Sequence, residues 1–252
     1  MKKTTQKILL LLYSQKKDQS PRLRLNQLDW LLPDLTPAGV RSLVYLLKHD
    51  GLIEVDKLDG VDYLNLTYKG KEALEAHFKA LRPFWDQWTG QWSEAVFLKP
   101  PAGDRQFRYL RQLLLTEGAL PLSRGVYLWP TGFLVKLRAT LERLYIDSIL
   151  VVKLAEMDFG DISPIVKKYY LLNELYNNYS SISRELKQLL SEVKVKKGLM
   201  KKERQRFLNL LERIQFNLES DLGILSYYYP DVTRVNELVK QCQVIVKILM
   251  IY

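Results

Sequence analysis

Apolar positions recur with two different periods along this chain, and the switches between them mark out three segments. Residues 1–82 read helix, helix, helix, hairpin, helix. A first helix is predicted over about Thr4 to Lys17, holding an unbroken apolar run from Ile8 to Tyr13. The stretch LRLNQLDWLLPDL predicts a short second helix ending near Pro33. The third helix has well-marked ends. Thr36 is placed to cap it, Pro37 suits its first helical position, and Gly51 stops it. Then LIEV and VDYLNL carry strand-like residues around Asp59-Gly60, a two-residue hairpin signal. TYKGKEALEAHFKAL returns to helical spacing with Thr67 as its cap.

Pro83 and the aromatic residues Phe84, Trp85, Trp88 and Trp92 open the second segment, residues 83–159. A strand from Ser93 to Leu98 meets a Pro-Pro-Ala-Gly turn. A helix follows with Asp104 as cap and Gly118 as stop. A strand pair ending in GVYLWP, a helix in GFLVKLRATLERLY and a closing strand in IDSILVVKLAE complete it. Strand-helix-strand-strand-helix-strand is the ferredoxin-like order. Residues 160–252 are read as a third, helical domain, with runs near Ile162 to Val195, Lys201 to Gly223 and Val232 to Ile251. The expected class is therefore α+β: a winged helix-turn-helix, a ferredoxin-like domain and a helical C-terminal domain.

Charge narrows the choice of partner. The net charge is +10, which favours an anionic one, with nucleic acid first and a phosphate-bearing ligand behind it. The single cysteine, Cys242, cannot form an intrachain disulfide, and it lies in an apolar helical run where a buried thiol is expected. The apolar runs at Ile8–Tyr13 and in VIVKILMIY are too short for a signal-peptide core or a membrane span. A cytoplasmic protein with no membrane partner is expected.

The third helix divides its residues by face. Val40, Leu43, Val44 and Leu47 follow the i, i+3, i+4, i+7 spacing of an anchoring stripe. Arg41, Ser42, Tyr45 and Lys48 fall away from it, and Ala38 and Gly39 keep the leading end small. A helix that enters a major groove about 12 Å wide needs this division. Arg41 can pair with guanine; Ser42 and Tyr45 can reach base edges or phosphates. A surface helix with scattered charges is the ordinary alternative. The two helices before it and the hairpin after it favour the DNA reading.

The hairpin has the wrong charge for gripping phosphate: Glu54, Asp56, Asp59 and Asp62 against Lys57 alone. Backbone contacts are therefore assigned to Lys2, Lys3, Lys7, Arg22 and Arg24, with Lys16 and Lys17. On the helix after Asp104, Arg105, Arg108 and Arg111 form a basic stripe opposite Phe107, Leu110 and Leu114. Beside a helix N-terminus such a stripe could hold an anionic effector, though an exposed basic face is the ordinary reading of any one of these residues. No Gly-rich phosphate loop, HExxH, CxxC or GxSxG occurs, so no catalytic residue, cofactor or metal ligand is assigned. His49 and His77 have no partners at ligand spacing; His49 suits a helix C-terminus.

Three runs taken together resemble a known family. They are TPAGVRSLVYLLKHDGLIEV, YLNLTYKGKE and WDQWTGQWSEAVFLKPPAGDRQFRYLRQLLLTEGALPLSRGVYLWP. In order and spacing they are similar to the repressors of phenylacetate catabolism, the PaaX family. The likeness rests on Val40-Arg41, Leu46-Leu47, Gly51, Trp92, Asp104-Arg105, Leu110-Arg111, Gly118 and Gly125 to Pro130, and covers residues 1 to about 160. The resemblance implies a homodimeric transcriptional repressor on a palindromic double-stranded DNA operator, released by an aromatic acyl-CoA. The middle domain of that family is similar to the small ferredoxin-fold protein of CRISPR spacer acquisition. A metal-dependent nuclease carrying a winged helix is thus the alternative function. Here Lys99-Pro100-Pro101 stands at the end of the first strand of that domain, where such a nuclease would need an Asp. The expectation is a repressor, not an enzyme.

Overall fold

The computed structural model describes residues 1–15, 21–98, 105–133, 139, 148–156, 160–196 and 201–248. It is a mixed α+β chain with two antiparallel sheets. The chain divides into two compact units. One joins Met1–Pro83 to Glu174–Tyr252, and the other is Phe84–Asn173.

In the first unit, α1 (Lys3–Leu11) leads to β1 (Leu23–Arg24), a 3-10 turn (Leu25–Gln27) and the short α2 (Leu28–Leu31). Then come α3 (Pro37–His49), β2 (Ile53–Leu58), β3 (Val61–Leu66) and α4 (Tyr68–His77). The sheet order is β1-β3-β2, so the two-residue β1 pairs antiparallel with the far strand of the hairpin. At the hairpin tip Asp59 and Gly60 both have positive φ, 51° and 79°, as a two-residue turn of this twist requires. The first helix is shorter than its sequence predicts: α1 ends at Leu11, and Lys16 and Lys17 lie outside the described residues. The β1 strand carries no sequence signal, because two residues are too few to show alternation.

The run Ile8–Tyr13 is apolar on every side of its helix, and every side is buried. A helix buried all round needs neighbours all round. Helix α4 supplies one wall; the others come from the C-terminal segment, where α8 (Lys201–Ser220) and α10 (Val235–Ile248) pack against α1. Several polar groups in this core are paired. Gln215 donates to the Lys3 carbonyl (3.1 Å) and to Gln6 Oε1 (3.2 Å); Gln6 Nε2 lies 2.7 Å from His77 Nε2. The Arg204 guanidinium donates twice to the Trp30 carbonyl, and Gln243 donates to the Tyr13 carbonyl. The helices read from sequence as a separate domain thus share one core with α1.

The second unit holds β4 (Trp92–Phe97), α5 (Arg105–Glu117), β5 (Leu120–Ser123), β6 (Val126–Pro130) and β7 (Ile149–Leu154). Its sheet order is β5-β6-β4-β7, with β4 antiparallel to both neighbours. The Phe97 and Phe107 rings pack edge to face, 5.0 Å between their centres, which seats α5 on the sheet. Trp85, Trp88 and Trp92 form an edge-to-face chain, and Phe84 and Trp85 close on Phe133. The Pro-Pro-Ala-Gly turn, Asp104 and nearly all of the helix expected between Gly132 and Tyr145 lie outside the described residues.

The long helix expected over Ile162 to Val195 is two. Helix α6 (Ser163–Tyr169) stops, Leu171 takes φ 52°, and α7 (Leu172–Lys196) begins. Tyr170 explains the break: its hydroxyl donates to the Gly118 carbonyl at 2.6 Å, which fixes the chain where α5 ends. A short α9 (Leu225–Tyr228) precedes α10.

Candidate nucleic-acid interface

Helix α3 is held by its ends and by a narrow stripe. At the start Thr36 Oγ1 accepts the Gly39 amide at 3.2 Å, and Pro37 takes the first position, where no amide is needed. A Cβ on Gly39 would lie 3.4 Å from that same Thr36 oxygen, an ordinary contact. At the far end Gly51 adopts φ 69°. Its amide donates to the Lys48 carbonyl and the Leu52 amide to the Leu47 carbonyl, both at 2.9 Å. This paired closure satisfies carbonyls that a helix end otherwise leaves open. The Thr67 hydroxyl donates to the Gly51 carbonyl at 2.6 Å while accepting the Gly70 amide at 3.0 Å. One side chain thereby fixes the end of α3 to the start of α4.

Within the helix only Val40 and Leu47 are buried, at 4% and 3% exposure. Leu43 and Val44, expected in the same stripe, are half-buried. Arg41, Ser42, Tyr45 and Lys48 lie off that stripe; Arg41, Ser42 and Lys48 are exposed, and Tyr45 is 68% exposed. The structure therefore brings these four onto one solvent-facing side of a rigidly capped helix. His49 stacks near Tyr45, 6.2 Å between ring centres, and its Nδ1 lies 3.5 Å from Asp50. Lys48 and His49 in the last turn also complement the negative end of the helix dipole.

The residues assigned to phosphate do not act alike. Lys2 and Lys3 are exposed at the start of α1, and Arg22 is exposed beside β1. Arg24 is half-buried; its guanidinium lies over the Tyr63 ring and its Nε donates to the Tyr63 hydroxyl at 3.3 Å. Lys7 is not on the surface. It is 8% exposed and its ammonium meets Glu212 at 3.1 Å, so it serves the core. One cation escaped the sequence reading. Lys69 is exposed on α4, and its chain lies over Gly51, with Nζ 3.9 Å from where a Cβ there would sit. It thus stands at the C-terminal end of α3. Its sequence signal, a lysine two positions after a capping threonine, is too common to single out.

The hairpin keeps its acidic character in space. Glu54, Asp59 and Asp62 are exposed, with Leu58 and Val61 exposed at the tip between them. Asn65 donates to Asp56 at 2.6 Å, holding that carboxylate along the strand pair.

In the second unit, Arg105, Arg108 and Arg111 are exposed on α5 while Phe107, Leu110 and Leu114 are buried. The stripe is as the spacing predicts. Burial raises the Tyr169 hydroxyl above its ordinary range, and the nearby Arg111 charge opposes the shift. The guanidinium of Arg111 and the phenol of Tyr169 therefore share one surface.

Neither a family model nor a curated protein matches the sequence. Among solved structures, the uncharacterized protein Rv0674 from Mycobacterium tuberculosis is similar over 96% of this chain and 94% of its own, at 13% identity and a TM-score of 0.48.

Proposed function

We propose that this chain is a DNA-binding transcriptional repressor whose residues 1–82 form a winged helix-turn-helix. Helix α3 enters the major groove. Arg41 pairs with a base, Ser42 and Tyr45 reach base edges or phosphates, and Lys48 and Lys69 meet the backbone. The repressor works as a dimer on a palindromic operator, since two-fold protein symmetry is matched by two half-sites. The ferredoxin-like second unit carries the effector surface, with Arg105, Arg108 and Arg111 facing an anionic, acyl-CoA-like ligand.

One observation carries this reading. Helix α3 is capped at both ends, anchored through Val40 and Leu47, and open to solvent along Arg41, Ser42, Tyr45 and Lys48. A helix that only supported the core would bury a broader face. The element order around α3 and the β1-β3-β2 sheet support the winged-helix reading.

The test is selection of bound sequences from random duplexes by the full chain, followed by titration of the winning site. A short two-fold motif is expected. Arg41→Ala is expected to weaken that site by about 1–3 kcal/mol and to relax preference at one base position. Equal binding of selected and random DNA by wild type and Arg41→Ala would overturn the assignment of α3.

A further inference from the structure

A helix-turn-helix holds a duplex in two places: its second helix lies in the groove and its first crosses the backbone. Here the first helix, α2, is poorly equipped for that task. From Leu25 to Val40 the sequence holds no lysine or arginine, and its two charges, Asp29 and Asp34, are exposed carboxylates. Phosphate repels both. The needed cations stand beside α2 in space, on a helix from much later in the chain. Arg204, in the first turn of α8, donates from Nε (3.1 Å) and Nη2 (2.8 Å) to the Trp30 carbonyl, and its guanidinium lies over the Trp30 ring. Three residues on, Phe207 packs against the same ring, 5.9 Å between centres. The start of α8 is thereby seated on α2, and Lys201 and Lys202 are exposed there.

We infer that Lys201 and Lys202 make a second contact with the phosphate backbone, where α2 meets the duplex, an assignment that rests on α3 being the helix in the groove. Three features select the occupant. First, the lysines stand at the wrong end of their helix. A helix N-terminus is partly positive and favours acids; cations suit the last turn. The one acid of that turn, Glu203, is buried, so the exposed charge of the turn is all positive. The two ammonium groups gain nothing for folding there, whereas an anion would meet both of them and the helix dipole. Second, they are uncommitted. Further along α8, Arg206 and Arg213 are held by Glu192 at 3.2 Å and Glu185 at 2.8 Å, but among the described residues neither lysine has an ion-pair partner. Third, the patch adjoins α2 and exposes no apolar side chain over Lys201–Arg204. A membrane-binding surface inserts apolar groups beside its cations; a phosphate-binding one needs none.

The Arg204 fork and the ring contact fix α8 to α2, so both cations arrive already ordered and little freedom is lost on binding. The C-terminal helices then have a task in the DNA-binding unit beyond burying α1. Each neutralised phosphate releases counterions and adds about 0.9 to the salt slope of binding. Phosphate contacts carry no sequence information. Loss of the lysines should therefore weaken every duplex alike, whereas loss of Arg41 should relax base preference. Because the lysines oppose the helix dipole, removing them should leave the free chain at least as resistant to urea.

The test titrates selected and random duplexes with the full chain at several salt concentrations. Lys201→Gln with Lys202→Gln should weaken both and lower the salt slope by about 2. Lys201→Arg with Lys202→Arg should keep the wild-type slope. Lys240→Gln with Lys247→Gln removes two exposed charges from α10 and should leave the slope as it is. A neutral methylphosphonate placed at each phosphate in turn locates the contact: one or two adjacent positions should cost the wild type affinity and leave the Lys201/Lys202 glutamine variant indifferent. An unchanged slope in that variant, an equal loss in the α10 control, or phosphate effects that survive the substitution at every position would each overturn the proposal. So would lysines that hold phosphatidylserine vesicles and not duplex. A wild type with no preferred sequence fails the reading of α3. A wild type that reads its site while the glutamine variant keeps the full slope fails this proposal alone.

Discussion

The ammonium of Lys7 lies 3.1 Å from the carboxylate of Glu212, and the two ends of that bond differ sharply in solvation. The lysine side chain is 10% exposed and the glutamate 60%. The pair ties α1 to α8 across 205 residues of sequence. Its asymmetry decides which substitution hurts. Without its partner, Lys7 is a cation held mostly out of water; without Lys7, Glu212 is simply a solvated surface acid.

Glu212→Ala should therefore destabilise the chain by about 1–3 kcal/mol, the cost of leaving a buried donor unmatched. Lys7→Met should be near neutral or stabilising, because Lys7 adjoins the buried apolar run that begins at Ile8. Urea denaturation of both variants reads the contrast. Equal losses would mean that the ion pair itself, not the stranded lysine, carries the energy.

The local features of this fold are written locally. Thr36, Pro37 and Gly51 mark the ends of α3 without any other information, and Asp59-Gly60 marks the hairpin tip. The strands expected over Ser93 to Leu98 and within IDSILVVKLAE are present, as β4 and β7. Distant partners are not so written. Ile8 to Tyr13 announces a buried helix, yet nothing nearby says that α8 and α10 bury it. Lys7 reads like Lys2 and Lys3 because only Glu212 distinguishes it, and Glu212 is far along the chain. The break at Leu171 is hidden for the same reason: Tyr170 and Leu171 suit a helix, and the bond from Tyr170 to Gly118 overrides that preference.

Gly70 tests the junction between α3 and α4. Its backbone is ordinary helix, so freedom of φ is not the reason for glycine. A Cβ there would run into the Leu52 carbonyl oxygen and the Leu66 side chain. The Leu52 carbonyl is itself fixed, since it accepts the Thr67 amide at 3.2 Å. Gly70→Ala should cost about 3 kcal/mol, toward the upper end for overpacking. Gly60→Ala, where a Cβ meets nothing, should show only the smaller penalty of its φ of 79°. Thermal melts of the two variants compare packing with backbone strain directly.

Two titrating groups give stability slopes of opposite sign. Asp221 is buried, accepting from Tyr179 at 3.1 Å and from the Gly223 amide at 2.7 Å, and burial pushes its carboxyl up to about 6. The folded chain holds that proton more tightly than the unfolded chain. The stability it contributes is complete below about 3.8 and is lost as pH rises through about 6. His77 is the reverse. Burial, and the nearby N-terminal amine, lower it, so its contribution is complete above 6.5 and is lost as pH falls below that value. Asp221→Asn removes the first slope alone. Relative to wild type, that variant should gain up to about 3 kcal/mol between pH 4 and pH 8, because a tenfold difference in proton affinity between folded and unfolded chain is worth about 1.4 kcal/mol. Denaturant midpoints at four or five pH values measure the gap; a flat difference would show that Asp221 titrates normally.

The cations at the C-terminal end of α3 predict a different signature from Arg41. Lys48 lies in the last turn of the helix, and Lys69 reaches over Gly51 just after it. On the proposed reading they meet phosphate, which carries no sequence information. Lys48→Ala and Lys69→Ala should each weaken selected and random DNA alike and reduce the salt slope of binding by about 1. The exposed carboxylates of the hairpin oppose the same backbone charge. Asp59→Asn with Asp62→Asn should therefore tighten both kinds of DNA without altering base preference. Anisotropy titrations at several salt concentrations separate these cases. If Lys69→Ala leaves the slope unchanged while Lys48→Ala reduces it, the duplex lies along α3 but clear of α4, and the grip on its backbone must come from Lys2, Lys3, Arg22 or the first turn of α8.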